Sequence, residues 1–147
     1  MNTLPTEPAL LLTDVDPKML ISANRKLHYQ HAGKVRAYWR NLAHGAALAA
    51  YGAADIDCTW HQRARIVIEV RWPDRRRHDV GNLYSYVAKP IVDGLIDAQV
   101  LPGDDDHHLI GPDMRRDLNR GPLQLAIYVI DLPRLTPAAT SVQEALL

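Results

Sequence analysis

The chain has 147 residues, with 17 Lys plus Arg against 17 Asp plus Glu, one Cys and no Phe. That length fits one domain with a modest core. The single Cys58 excludes an intrachain disulfide and argues against a cysteine zinc site; no run approaches the ~18 apolar residues of a membrane span.

A net charge of zero argues, taken alone, against a nucleic-acid binder, but the charges are segregated. Residues 60–77 hold Arg63, Arg65, Arg71, Arg75, Arg76 and Arg77 against Glu69 and Asp74. Residues 93–106 hold Asp93, Asp97, Asp104, Asp105 and Asp106 with no Lys or Arg. A neutral chain can therefore offer one patch to phosphates and the next to a cation. The start, MNTLPTEPAL, lacks the basic end and apolar run of a signal peptide. The cytoplasm is the expected location.

In chain order, Ala9 to Val15 is a short apolar run that predicts a strand. The loop from Asp16 to Gly33 carries Asn24, Arg25, Lys26, His28 and Tyr29, a basic and aromatic mix that suits a nucleic-acid backbone and equally a solvated loop. From Lys34 the apolar residues Val35, Tyr38, Trp39, Leu42, Ala46, Ala49 and Ala50 recur at helical spacing, with Gly52 as the stop. Residues 63–72 alternate: Ile66, Ile68, Val70 and Trp72 face one way, and Arg65, Glu69 and Arg71 the other.

Pro73 ends that strand, and Asp74 to Gly81 is an arginine-bearing loop. Leu83 to Val100 reads as mostly helical, with Val87, Ile91, Leu95 and Ala98 as the stripe. Pro90 either kinks this helix or marks its first turn after a separate lead-in. Lys89, Asp93 and Asp97 share its other face. A strand is expected near His107 to Ile110, an irregular edge over Gly111 to Asp117, and a last strand where Leu123, Leu125, Ile127 and Val129 alternate with polar residues. The expectation is a small single-domain α/β (α+β) fold over residues 1–132, one mixed sheet with two main helices on it. Residues 133–147 read as a flexible tail.

Two sets of hard oxygen donors flank the second helix: Asp79 and Asn82 before it, Asp105 and Asp106 after it. Mg²⁺ prefers such ligands and takes one or two protein carboxylates. If the fold brings them together, a divalent ion there could drive phosphodiester hydrolysis. Lys89 could then neutralise charge on the phosphate, and Arg75, Arg76 and Arg77 could grip the strand. Plainer readings stand beside these. Three aspartates after a helix commonly make a solvated turn, Lys89 and Asp93 can be a surface pair, and His107 with His108 is a minor option for a transition metal. No GxxxxGK[ST] and no Ser or Cys nucleophile motif is present.

Three segments, PDRRRHDVGNL at 73–83, KPIVDGL at 89–95 and DAQV followed by DDDHHL within 97–109, resemble the RusA-like Holliday junction resolvases. The resemblance implies a Mg²⁺-dependent homodimer that cuts four-way DNA junctions. It puts Asp79 in the place of the first metal aspartate, Asp106 or else Asp105 in the place of the acid after the helix, and Lys89 in the place of the catalytic lysine. It gives DNA contact to Arg75, Arg76 and Arg77 and, more loosely, to Asn24, Arg25 and Lys26. Gly81 stands where that family has a second aspartate, the lead-in gains about four residues (Tyr84 to Val87), and the acidic turn is longer. These departures leave open a DNA-binding protein that has lost catalysis, or a nuclease that prefers flaps or forks.

Overall fold

A computed structural model describes residues 3–55 and 57–135 of the chain. Strand β1 spans Leu10–Leu12, helix α1 Tyr29–Tyr51, β2 Ala64–Arg71, helix α2 Lys89–Asp97, β3 Leu109–Arg116 and β4 Gln124–Asp131. This is the expected strand–helix–strand–helix–strand–strand sequence. The strands form one sheet in the order β1-β4-β2-β3. β4 runs antiparallel to both β1 and β2, and β2 runs parallel to β3. A parallel pair needs a long crossover. Here the crossover is the arginine loop, α2 and the acidic turn, so Asp79, Asn82, Lys89 and the three aspartates all fall in the chain between two adjacent strands. No helix among the described residues is long and apolar enough to cross a membrane.

The core lies on one face of the sheet. Ile66, Ile68 and Val70 of β2 join Leu125 and Ile127 of β4, Leu10 and Leu12 of β1, and the buried residues of both helices. On the other face Arg65 binds Asp113 at 2.6 Å. Val67 is fully buried on that charged face, which the alternation of β2 does not reveal. β3 carries an extra residue against β2 between Arg65 and Val67. Gly111 sits there at φ +101°, where an added Cβ would lie 2.6 Å from the Ile66 carbonyl oxygen, so the bulge requires glycine.

α1 begins at Tyr29, five residues before the expected start, because the His28 ring caps it: Nδ1 accepts the Gln30 N–H at 3.3 Å. It ends as expected at Gly52, whose N–H donates to the Leu48 carbonyl at 2.9 Å. The buried residues are Ala32, Val35, Trp39, Ala43 and Ala47, while Ala49 and Ala50 are exposed. The stripe is rotated towards its smallest members because α2 packs there. An added Cβ on Gly94 would come within 2.3 Å of the Arg40 carbonyl oxygen and 3.0 Å of the Ala43 Cβ. Arg40 then straps the helices together, donating to both carboxylate oxygens of Asp97 at 2.6 and 2.8 Å.

Pro90 occupies the first turn of α2. The lead-in is a 3₁₀ turn, Val80–Leu83, followed by one π turn, Tyr84–Ala88, in which the Lys89 N–H donates to the Tyr84 carbonyl. The four additional residues are thus wound into the helix rather than looped out. Residues 136–147 of the expected tail lie outside the described residues.

Gly94→Ala is expected to cost at least about 1–3 kcal/mol in urea unfolding, because backbone must move to admit one methyl group. Gly33→Ala, at an exposed α1 position with nothing within 4 Å of the added Cβ, is expected to stabilise by about 0.5–1 kcal/mol. Equal effects of the two would refute the close crossing.

Candidate active site

A cleft of about 690 Å³ opens between the segment from Pro17 to Asn24, the loop after β2, and the 3₁₀ turn. Arg76, Arg77, His78, Asp79 and Asn82 line it, with Ser22 and Asn24 opposite. The two polar segments singled out in the sequence therefore meet. The contact that joins them is a backbone hydrogen bond, Ala23 N–H to the Asn82 carbonyl, at 2.7 Å. Arg25 and Lys26 follow on the exposed continuation of the same loop.

The arginine loop is held by its own residues. Trp72 is buried, and the His78 ring stacks on it at 4.0 Å with an interplanar angle of 2°. Asp74 bonds His78 Nε2 at 2.8 Å and accepts the Arg76 N–H at 3.0 Å. The His78 hydrogen bond is the main cause holding the Asp74 carboxyl below its ordinary range. From β3, Arg116 lies 5.3 Å over the Trp72 ring and donates to the carbonyls of Arg76 and Asp74 at 2.7 and 3.3 Å. The guanidinium of Arg76 touches Asp74 at 3.3 Å. Arg75 and Arg77 have no ion pair among the described residues. Arg75 turns away from the cleft into a shallower depression with Arg116 and Arg120. Of the three loop arginines, two share the cleft with Asp79.

Asp79 precedes the 3₁₀ turn, and its Oδ2 accepts the Asn82 side-chain amide at 3.1 Å. That bond leaves the Asn82 side-chain oxygen and the Asp79 Oδ1 available as hard donors. A Cβ at position 81 would lie 3.4 Å from Asp79 Oδ1. The side chain missing at Gly81 would thus have stood beside this carboxylate.

A second cluster forms around α2. Lys89 Nζ bonds Asp93 at 3.0 Å and also Asp104 of the acidic turn. Burial pulls the Lys89 pKa down, but hydrogen bonds and charge from Asp104 and Asp93 outweigh it and leave it raised; the Lys89 hydrogen bond holds Asp104 low. Lys89 is accordingly an ammonium at neutral pH, suited to offsetting negative charge and unsuited to accepting a proton. It shares a groove of about 300 Å³ with Arg36 and Arg40 of α1. Arg36 also sits 5.0 Å over the Tyr86 ring of the π turn. Asp97, expected beside Asp93, is taken by Arg40.

The acid of the 104–106 turn that meets Lys89 is therefore Asp104, which reading the sequence did not select. Asp105 shapes its own turn. Its Oδ1 accepts the His107 N–H at 2.9 Å, and its carbonyl accepts those of His108 and Leu109. Asp106 is exposed, with no side-chain partner among the described residues. Neither Asp105 nor Asp106 lines the cleft that holds Asp79. The available signal was Val100 and Leu101. Two apolar residues past a helix end predict that the chain folds back into the core, and both are buried.

His108 is committed elsewhere, its Nδ1 donating to the Gln62 carbonyl at 2.9 Å. Among the described residues no group of three or more His, Cys, Asp or Glu stands close enough to hold a metal ion. The chemistry of the set still fits a hard ion. Asp79 and Asn82 offer a carboxylate and an amide oxygen, and Mg²⁺ can complete its shell with water and substrate phosphate. No protein-family model and no curated protein matches this chain in sequence.

The Lys89 cluster gives a pH signature. A raised lysine contributes stability below its ordinary value of 10.5 and loses it as the pH climbs through the folded value. A depressed aspartate contributes above its ordinary 3.8 and loses it as the pH falls through the folded value. The stability difference between the wild type and Lys89→Met is expected to stay below about 1 kcal/mol. It should be flat from about pH 5 to about pH 9 and shrink outside both limits. A difference that varies across neutral pH in chemical denaturation would contradict the pairing.

Proposed function

We propose that this chain is a cytoplasmic, divalent-metal-dependent endodeoxyribonuclease that resolves branched DNA, four-way junctions first, by paired nicks, in the manner of the RusA-like resolvases it resembles. The observation that carries the reading is the β2–β3 crossover. It presents Asp79 and Asn82 in a cleft with Arg76 and Arg77, and one helical lead-in later a charged lysine drawn between Asp93 and Asp104. Phosphate-gripping cations beside hard oxygen donors are what phosphodiester hydrolysis requires.

In this reading Arg76, Arg77 and Asn24 hold the strand by its phosphates. Asp79 and Asn82 would hold the ion, with water and substrate phosphate completing its shell. When bound, a divalent ion supplies Lewis acidity at the scissile phosphate. Water adds to phosphorus, the bond from phosphorus to the 3′-oxygen breaks, and the products are a 3′-hydroxyl and a 5′-phosphate. Lys89, kept charged by its two aspartates, offsets the negative charge that builds on the phosphoryl oxygens. Two opposed nicks in a two-fold symmetric junction call for two symmetric sites, so the working form is a homodimer.

Gly81 favours a second reading, a junction binder without catalysis, because the carboxylate it lacks would stand beside Asp79. Incubating the protein with a synthetic four-way junction and Mg²⁺ separates the two. Paired nicks that EDTA, Asp79→Asn and Lys89→Met each abolish, with junction affinity retained, are the expected result. Tight binding without nicks at any divalent metal would establish the second reading, which gains further support if Gly81→Asp then cuts. A flap and a plain duplex as competing substrates rank structural preference.

The arginine loop makes its own forecast. Arg76→Gln and Arg77→Gln should each lower the slope of log K against log salt by about 1 on duplex arms. Arg116→Gln should weaken binding with the slope unchanged, because that guanidinium holds carbonyls and not phosphates. A slope change in Arg116→Gln would make it a phosphate contact instead.

A further inference from the structure

The segment before α1 and the exposed face of α1 are one-signed. Between residues 17 and 54 the chain contains Lys18, Arg25, Lys26, Lys34, Arg36 and Arg40 and no Asp or Glu, and of these cations Arg40 is neutralised by Asp97 of α2. Within this field one large ring stands in solvent: Tyr29 is 75% exposed. It does not swing freely from a loop. It is the first residue of α1, and it rests on the His28 ring at 4.5 Å and 35°. His28 is itself fixed by accepting the Gln30 N–H. Leu27 beside it packs against the core, so no apolar patch surrounds the ring.

A lone ring resting on one histidine among cations is poor protein-docking surface, since protein interfaces gather apolar residues at their centre and deplete Lys. It is well suited to an unpaired base, because every base offers a π face and cations track the backbone. The ring also stands close to the cleft along the chain. Asn24 lines that cleft, and the five residues from Asn24 to Tyr29 span at most about 17 Å. A strand gripped at Arg76 and Arg77 therefore has neighbouring nucleotides within reach of Tyr29.

We infer that Tyr29, preceded by Arg25 and Lys26, is a stacking platform for an unpaired base of single-stranded DNA, the kind of base exposed where a duplex branches. This deepens the DNA-processing reading and rests on it for biological meaning, but the two fail separately. The platform is read from single-strand binding without metal, and the nuclease from nicks.

The test uses the full chain in EDTA with a fluorescent oligothymidylate of about twelve nucleotides. The wild type should bind in a salt-dependent manner. Tyr29→Phe should match it within about twofold, and Tyr29→Ala should bind at least about fivefold more weakly, the loss of one base stack. A 2-aminopurine placed in the strand should be quenched by the wild type and by Tyr29→Phe, and released in Tyr29→Ala. The exposure of Tyr29 makes loss of folding in Tyr29→Ala unexpected, and an unchanged melting temperature checks it. Absence of single-strand binding by the wild type, equal affinity of Tyr29→Ala, or equal losses in both variants would overturn the inference. So would a change of oligomeric state in Tyr29→Ala, which would hand the ring to a protein contact. Junction cleavage that survives any of these outcomes leaves the nuclease reading standing.

Discussion

The structure depends on how closely α1 and α2 can approach. At Gly94 the backbone of one helix meets the backbone of the other with no side chain between them, and Ala43 and Ala47 extend the narrow contact along α1. Helices packed this tightly have little freedom to slide, since a shift in either direction drives a larger residue into the gap. The Arg40–Asp97 fork sets the register on the solvent side. The position of Lys89 relative to Arg36, and the width of the groove between them, follow from this contact. Burial of Val100 and Leu101 under the same core returns the acidic turn towards the start of α2, and so a residue fifteen positions after Lys89 comes to touch it.

The arginine loop shows the complementary strategy. Like charges in sequence repel, and a loop carrying three of them would fray if left to itself. Here the repulsion is overcome by anchoring the backbone instead of pairing the heads. Trp72 is packed by His78, Asp74 ties two of the loop's own residues, and Arg116 reaches across from the edge strand to two carbonyls. The guanidinium groups of Arg75 and Arg77 are then presented from a backbone already fixed, and in the proposed reading that would lower the entropy lost on binding a phosphate.

Much of this was legible in the sequence, because it rests on periodicity and turn chemistry. The alternation in β2 and β4, the stripe of α2 and Gly52 as a stop all follow local rules that tertiary packing did not override, and of the two roles open to Pro90 the structure takes the first turn. The stripe of α1 was read too broadly. Its alanines carry almost no directional information, and only the close helix crossing decides that Ala43 and Ala47 face inward while Ala49 and Ala50 do not. The meeting of Asn24 with Arg76 and Arg77 could not be read, because a single backbone hydrogen bond between distant segments creates it. The choice among Asp104, Asp105 and Asp106 was equally hidden. Three identical side chains in a row are told apart only by where the turn points each of them, to a lysine, to its own backbone or to solvent.

The π turn between Tyr84 and Ala88 has a consequence of its own. A residue gained or lost inside a wound segment rotates everything after it by about 100° around the axis, whereas the same change in a loop leaves the next helix facing as before. Chain length between Asp79 and Lys89 therefore works as an angular setting, and the widened turn is where that setting is adjusted without breaking the helix. Homologous chains of other lengths could keep the same residues in the same order and still point the lysine at a different neighbour.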